Sequence, residues 1–357
     1  MTPPEARRVD AVVVGAGPGG LYAASLLQRA GRDVVVLEAR DRVGGRLLSV
    51  EAGAGRLDLG ASWYWPGEQR VDAVVRMLGL GTFAQHLDGD MVYQPLGDVQ
   101  RISGNQLDVP SSRFERGAQA VATGLAAGFP EGTVRLADAA RTITPIADGV
   151  EVDAEHSRWT APQVVVGVAP ATAVRAIRID DLEPSIRELA AATPVWMGGT
   201  VKVVAHYERP FWRDVGLAGS AFSHVGPLRE IHDMSGPGGH PAALFGFAQP
   251  APGMPPPSRD RTLDQLGALF GGLAAEPRQL WIHDWRAEAT IAHPDALGLT
   301  DYRTYGHERY QHPALEGRLH WASTETAPVA PGHIEGALAA AERAVAAIVG
   351  NGATTSG

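Results

Sequence analysis

The sequence predicts an α/β fold with a parallel sheet at its N-terminal end. Three observations predict it. Apolar strand and helix patterns alternate over the first forty residues. The turn between the first strand and the first helix reads G-x-G-x-x-G. The chain has 357 residues, 45% of them apolar and 20% charged, which suits one large domain or two interleaved ones. The net charge of −9 offers no basic field to nucleic acid or to an anionic membrane. No cysteine is present, which excludes disulfides, thiolate metal sites, iron–sulfur clusters and a cysteine-linked cofactor.

Taken in order, residues 1–8 read as a short polar tail. The apolar stretch 11–27 is too short and too broken by glycine to cross a membrane, so a cytoplasmic protein is expected. It divides into a buried strand at 11–14, a glycine turn and a helix at 21–30, with a second buried strand at 34–38 (VVVLE). Helices are expected at 70–78 and over the alanine-rich 116–128. Short strands at 134–136, 142–147 and 149–153 suit a small meander. The run 163–168 (QVVVGV) reads as another buried strand that opens into a helix. A longer strand covers 200–207, and strands at 242–248 and 279–285 bracket a helix near 263–275. The proline-rich 250–257 is a stiff connector. A short strand at 319–322, a long alanine-rich helix at 334–349 and a frayed tail at 351–357 complete the chain.

Gly15, Gly17 and Gly20 form the glycine motif directly between strand and helix. The first glycine allows the tight turn, the second lets backbone approach a pyrophosphate, and the third lets helix pack on strand. The free N–H groups and positive dipole of the helix N-terminus then face the phosphates. Glu38 ends the second strand, where a carboxylate accepts hydrogen bonds from a ribose hydroxyl. These features leave open whether the dinucleotide is NAD or FAD.

Residues 38–46 (EARDRVGGR) resemble the R-x-G-G-R element of flavin-dependent amine oxidases and their polyamine and amino-acid oxidase relatives. Three further segments resemble the same family: LDLGASWYWPG at 57–67, with Ala61 in place of a second glycine; GTVRL at 132–136; and the closing HWASTETAPVAPGHIEGALAAAERAV at 320–345. The resemblance implies FAD, bound non-covalently. It places Arg40 and Arg46 along the ribose and pyrophosphate, with Gly44 and Gly45 allowing close backbone approach. Ala61, Ser62 and Trp63 would lie near the flavin ring, and the backbone of Val134 would pair with adenine. Glu325 would lie near the ribityl chain, and Gly332, His333 and Ile334 would border the ring where the last helix starts. The helical portion that the family carries between about residues 94 and 114 is absent here.

The charge count of 31 cationic residues conceals an asymmetry, because 30 are arginine and Lys202 is the single lysine. Arginine substitutes for lysine wherever charge alone matters in a GC-rich genome, so this position demands something else. In a strand, Lys202 and Val204 face one side and Val201, Val203 and Ala205 the other. Both sides are apolar, so an ammonium there is costly unless it meets a cavity. A lysine amine shifts its pKa when desolvated, and an arginine does not. In the family, a lysine ahead of a P-F-W element (here Pro210, Phe211 and Trp212) holds a water against flavin N5.

Family members often place two aromatic rings beside the substrate nitrogen. Here one falls on His333, a candidate proton acceptor or hydrogen-bond partner, and the other on Thr300 or Tyr302. Trp63, Trp65, Trp212 and Tyr302 are candidate pocket walls. The histidines do not cluster at metal-ligand spacing, and the pairs His232–Asp233 and His283–Asp284 read as structural.

The resemblance therefore implies an FAD-binding Rossmann-like domain interleaved with a smaller α+β substrate domain. Residues 1–75, 111–185 and 286–350 are expected in the first, and 76–110 and 186–285 in the second. It implies an oxidase that takes hydride from a carbon–nitrogen bond of a small amine or amino-acid-like substrate to flavin N5, with dioxygen as electron acceptor and hydrogen peroxide as product. Lys202 and His333 are the catalytic candidates. The sequence leaves open a flavin desaturase or dehydrogenase acting on a C–C or C–O bond, a nicotinamide-driven reductase, and a non-catalytic flavin-binding protein.

Overall fold

The computed structural model describes residues 5–251 and 253–353. Five parallel strands form one sheet in the order Val134–Arg135, Val34–Leu37, Ala11–Val14, Gln163–Val166, Leu319–Trp321. Runs of valine bury both faces of this sheet, as a parallel sheet requires. Helices Pro18–Arg29, Gln119–Ala127 and Ile334–Ala353 cover one face through Leu21, Leu27, Val121 and Leu338. The meander Ala140–Ile146, Gly149–Ala154, Arg158–Ala161 covers the other through Ile143, Val152 and Trp159. Arg7–Arg8 pairs with that meander, so part of the expected N-terminal tail is a strand. The closing helix continues to Ala353, and residues 354–357 of the expected C-terminal tail lie outside the described residues.

The second sheet has seven strands in the order Gln279–Asp284, Val201–Tyr207, Ala242–Ala248, Glu230–Asp233, Leu217–Ser223, Asp90–Gln94, Gln100–Ile102. Strand alternation sorts its side chains. Val201, Val203, Ala205 and Tyr207 pack toward helix Arg259–Phe270, while Val204 packs with the hairpin Ser49–Ala52 and Gly55–Asp58 on the opposite face. On that second face Lys202 lies opposite Phe247, Phe247 opposite Glu230, and Glu230 opposite Phe222. Direct cross-strand partners share a face, so these four form one row across the sheet. Among the described residues no helix lies between Leu78 and Gln119. Two strand pairs, Thr82–Ala84 with Ser112–Phe114 and Asp90–Gln94 with Gln100–Ile102, and their connecting loops occupy that stretch.

Two helix boundaries shift from expectation. The helix expected near 263–275 starts at Arg259, where the Ser258 hydroxyl accepts the Arg261 N–H at 3.4 Å. It ends at Phe270, before Gly271 turns with φ +91°. The hairpin at 49–58 and the strands Leu217–Ser223 and Glu230–Asp233 carry no sustained apolar alternation and were not expected. No helix of the described residues is long and apolar enough to cross a membrane.

The first helix sits against the sheet at backbone contact distance. A Cβ on Gly20 would fall 2.0 Å from the Gly15 carbonyl oxygen, whereas one on Gly17 meets no protein atom within 4 Å. Gly20→Ala is expected to lower the melting temperature of the cofactor-free protein, costing about 1–3 kcal/mol or more through overpacking. Gly17→Ala is expected to leave that melting temperature within a degree or two while reducing retained flavin. Thermal unfolding and the flavin-to-protein absorbance ratio check both.

Candidate active site

A cavity of about 700 Å³ runs from the glycine turn to the second sheet. Gly15, Gly17, Pro18, Gly19 and Glu38 line its nucleotide end. Pro18 occupies the first helical position, where its missing N–H costs nothing, and no acidic residue stands in the first turn to cancel the helix dipole. The Glu38 carboxylate accepts backbone N–H groups from Ala16 at 2.7 Å and Arg40 at 3.0 Å. Burial raises its pKa against those two donors. Gly45, with φ +55°, and Arg46 line the middle of the cavity with Ser323 and Thr324.

Several predicted residues act from behind this wall. Gly20 is packing, and a Cβ on Gly44 would meet the Leu47 carbonyl oxygen at 2.5 Å. The Arg40 guanidinium pairs with Glu288 and donates to Thr290 at 3.1 Å, and its Nη1 is buried without a partner. Glu325 is fully buried and receives two Arg46 N–H bonds at 2.6 and 3.1 Å. Val134 sits in the edge strand of the parallel sheet, and Ala139–Arg141 lie nearer the cavity.

Ala61, Ser62, Trp63, Lys202, Gly332, His333 and Ile334 come together around the far half of the cavity. The Lys202 amine donates to the Gly60 carbonyl at 2.8 Å and to Ser62 Oγ at 2.7 Å, and lies 4.2 Å from the centre of the Phe245 ring. Burial lowers its pKa to about 7. Asp58 works against that fall and Arg113 adds to it. Gly60 is needed where the lysine docks, because a Cβ there would fall 2.0 Å from the Arg46 carbonyl oxygen.

Three predicted pocket residues lie elsewhere. Trp212 is buried in the core on the opposite face of the sheet, where its Nε1–H donates to Asp233 at 2.8 Å. The chain has already left the lysine strand and crossed to that face. Thr300 and Tyr302 are exposed on a surface turn. Tyr302 meets the cavity only indirectly, edge-on against Trp196 at 5.9 Å. The aromatic walls are instead Trp63, Trp65, Trp196, Phe222, Phe247 and Trp285.

Two polar pairs went unpredicted. His333 Nδ1 lies 2.5 Å from Glu68 Oε1, and the imidazole packs against Trp65 with ring centres 4.6 Å apart and planes tilted by 31°. His232 Nδ1 lies 2.6 Å from Asp108 Oδ1, with Glu230 3.8 Å from its other nitrogen. Burial opposes the His232 imidazolium, but Asp108 and Glu230 outweigh it and raise the pKa. Both partner acids are distant in sequence; His333 was a candidate, whereas His232 was read as structural.

The cavity fits a flavin dinucleotide on features of the protein itself. Ser323 Oγ lies buried on its wall without a hydrogen-bond partner, Gly17 leaves open space where a side chain would stand, and the helix dipole is uncancelled. The profile of the family described as flavin-containing amine oxidoreductase matches residues 96–349, and that of an NAD(P)-binding Rossmann-like domain matches 13–78. Putrescine oxidase of Kocuria rosea is 27% identical, covering 97% of this chain and 96% of its own. Its alignment spans 469 positions, more than the whole 357-residue chain, so it carries long gaps on this side. Two solved structures share the fold. A putrescine oxidase bound to putrescine has a TM-score of 0.84 at 22% identity, covering 97% of this chain and all of its own. Cyclohexylamine oxidase from Brevibacterium oxydans has a TM-score of 0.82 at 21% identity, covering 96% and 99%.

The depressed lysine pKa has a stability consequence. A base whose folded pKa lies near 7 and whose unfolded pKa lies near 10.5 binds fewer protons when folded, so stability rises with pH through that window. Wild-type protein is expected to gain melting temperature relative to Lys202→Met between pH 7 and pH 10, with a constant difference below about pH 6. Parallel thermal scans of cofactor-free samples check this.

Proposed function

The chain belongs to the flavin-containing amine oxidoreductase family and uses FAD, and on that premise we propose that it oxidises a small amine, with dioxygen as the final electron acceptor and hydrogen peroxide as product. The observation that carries this reading is the one lysine of the sequence, buried on the wall of the cavity with its pKa brought to about 7. When bound, FAD would supply the acceptor for a hydride from the carbon that bears the amine nitrogen and a two-electron donor for oxygen.

The residues divide the work as follows. Gly15, Gly17 and the N-terminus of helix Pro18–Arg29 would hold the pyrophosphate, and Glu38 would hold the adenosine ribose. Arg46, fixed by Glu325, would neutralise phosphate charge. Ala61, Ser62, Gly332 and Ile334 would border the flavin ring, and the start of the closing helix would favour negative charge at its edge. Lys202 uses two donors on Gly60 and Ser62, which leaves its third position for a water in the cavity. At neutral pH that position is a proton in part of the molecules and a lone pair in the rest, so the amine can give or take a proton through that water. Trp63 and Phe247 wall the substrate side and exclude bulk solvent. FAD is held without a covalent bond, in keeping with the absence of cysteine. Residues 1–75, 111–185 and 286–350 form the cofactor unit, and 76–110 and 186–285 the substrate unit. Membership of the two larger sheets supports that division, and the strand pair Thr82–Ala84 with Ser112–Phe114 crosses it.

Anaerobic mixing of the purified protein with primary amines, diamines and amino acids, followed by air, tests the proposal. Bleaching by an amine, with one equivalent of peroxide on reoxidation, is expected. Lys202→Met is expected to retain FAD and to slow reduction or reoxidation at least tenfold. Bleaching by no amine would overturn the proposal.

A further inference from the structure

His333 stands at the start of the closing helix with its ring on the cavity wall and its side chain 34% exposed. Nδ1 is taken by Glu68, and Nε2 makes no hydrogen bond among the described residues. Glu68 is itself fixed. Its Oε2 accepts the Trp65 backbone N–H at 3.0 Å, its own N–H donates to the Trp65 carbonyl at 3.1 Å, and its side chain is 9% exposed. Trp65 completes the arrangement by packing against the imidazole, and Thr324 Oγ1 donates to the His333 carbonyl at 2.8 Å. The ring therefore has one orientation, with the second nitrogen left to the cavity.

The charged groups nearest the pair already have partners. Glu335 in the first helical turn binds Arg70 at 3.0 Å, Arg70 also binds Glu342 at 2.6 Å, and Arg46 binds Glu325. Lys202 faces the same cavity. The helix N-terminus opposes a positive imidazole, and the Glu68 carboxylate is the charge placed to offset it.

Resting on the functional reading above, we propose that His333, positioned by Glu68, is the proton acceptor that converts a bound substrate ammonium into the free amine before oxidation. An alkylammonium has a pKa near that of lysine, about 10.4, so roughly one molecule in a few thousand is uncharged at pH 7. Hydride can leave carbon only when the nitrogen lone pair is available to form the C=N bond. In the step, one N–H bond of the ammonium breaks and its electron pair stays on nitrogen. The proton bonds to His333 Nε2, and the imidazolium is balanced by Glu68. After the product leaves, the proton passes to water. A carbon-ring side chain at this position has no basic nitrogen for this step, so the arrangement suits a substrate captured in its abundant ammonium form.

The test uses FAD-loaded wild type, Glu68→Gln and His333→Asn. Glu68→Gln keeps a hydrogen-bond acceptor and removes only the charge, and bound flavin and melting temperature check folding. Imidazole NMR of ¹⁵N-histidine protein, with the His333 signal assigned by its loss in His333→Asn, is expected to show a proton on Nδ1 and a free Nε2 at pH 8. The Nδ1 proton resonance is expected to move upfield in Glu68→Gln, where an amide oxygen replaces the carboxylate. Glu68→Gln should lower kcat/KM for the best-oxidised amine at pH 7 at least tenfold, and His333→Asn should lower it at least as far and remove the acid limb of its pH profile. An oxidised amine whose pH profile is unchanged in His333→Asn would overturn the proton-acceptor role and leave the amine oxidation standing. An Nδ1 proton resonance and a kcat/KM both unchanged in Glu68→Gln would overturn the role of Glu68. Correct NMR behaviour in a protein that oxidises no amine would overturn the functional reading itself.

Discussion

Burial of one amine is the constraint around which the far half of the cavity is organised. Lys202 stands in a strand whose neighbours are apolar on both faces, and water does not reach it in bulk. Its amine survives there because the Gly60 carbonyl and Ser62 Oγ accept from it and the Phe245 ring faces it. Two of these supports come from the segment after the hairpin, so the lysine ties that segment to the second sheet. Gly60 must lack a side chain for that segment to approach, and the same segment carries Ala61, Ser62 and Trp63 to the cavity.

The two sheets set the reach of the site. The parallel sheet presents its glycine turn and helix N-terminus at one end, and the row Lys202, Phe247, Glu230, Phe222 presents a mixed apolar and anionic wall at the other. Strands lie about 4.8 Å apart, so Glu230 stands roughly 10 Å from the lysine. The loop carrying Asp108, after strand Gln100–Ile102, buttresses this wall through His232.

Much of the cofactor end was legible in the sequence because its physics is local. The turn between strand 11–14 and the first helix needs glycines at fixed spacing, and a parallel strand buried on both faces needs a valine run. Lys202 was legible from composition, as one ammonium among thirty guanidiniums. The substrate end was less legible because its determinants are non-local. Trp212 sits near the lysine in sequence, yet the chain crosses to the other face before reaching it. Tyr302 and Thr300 fall in short turns with no periodicity to fix their direction. His333 was visible, but Glu68 is joined to it across 265 residues. The hairpin at 49–58 and the two middle strands of the second sheet lacked alternation because they are short and carry glycine or polar residues.

The central claim is that a buried amine, tuned to neutral pH by its surroundings, sits where the family's chemistry takes place. The sequence offers a direct probe, because a single lysine gives a single side-chain resonance. Cofactor-free protein labelled with ¹³C at lysine Cε and titrated by NMR should show that signal moving with a midpoint near pH 7. A midpoint near 10.5, the ordinary lysine value, would contradict the account.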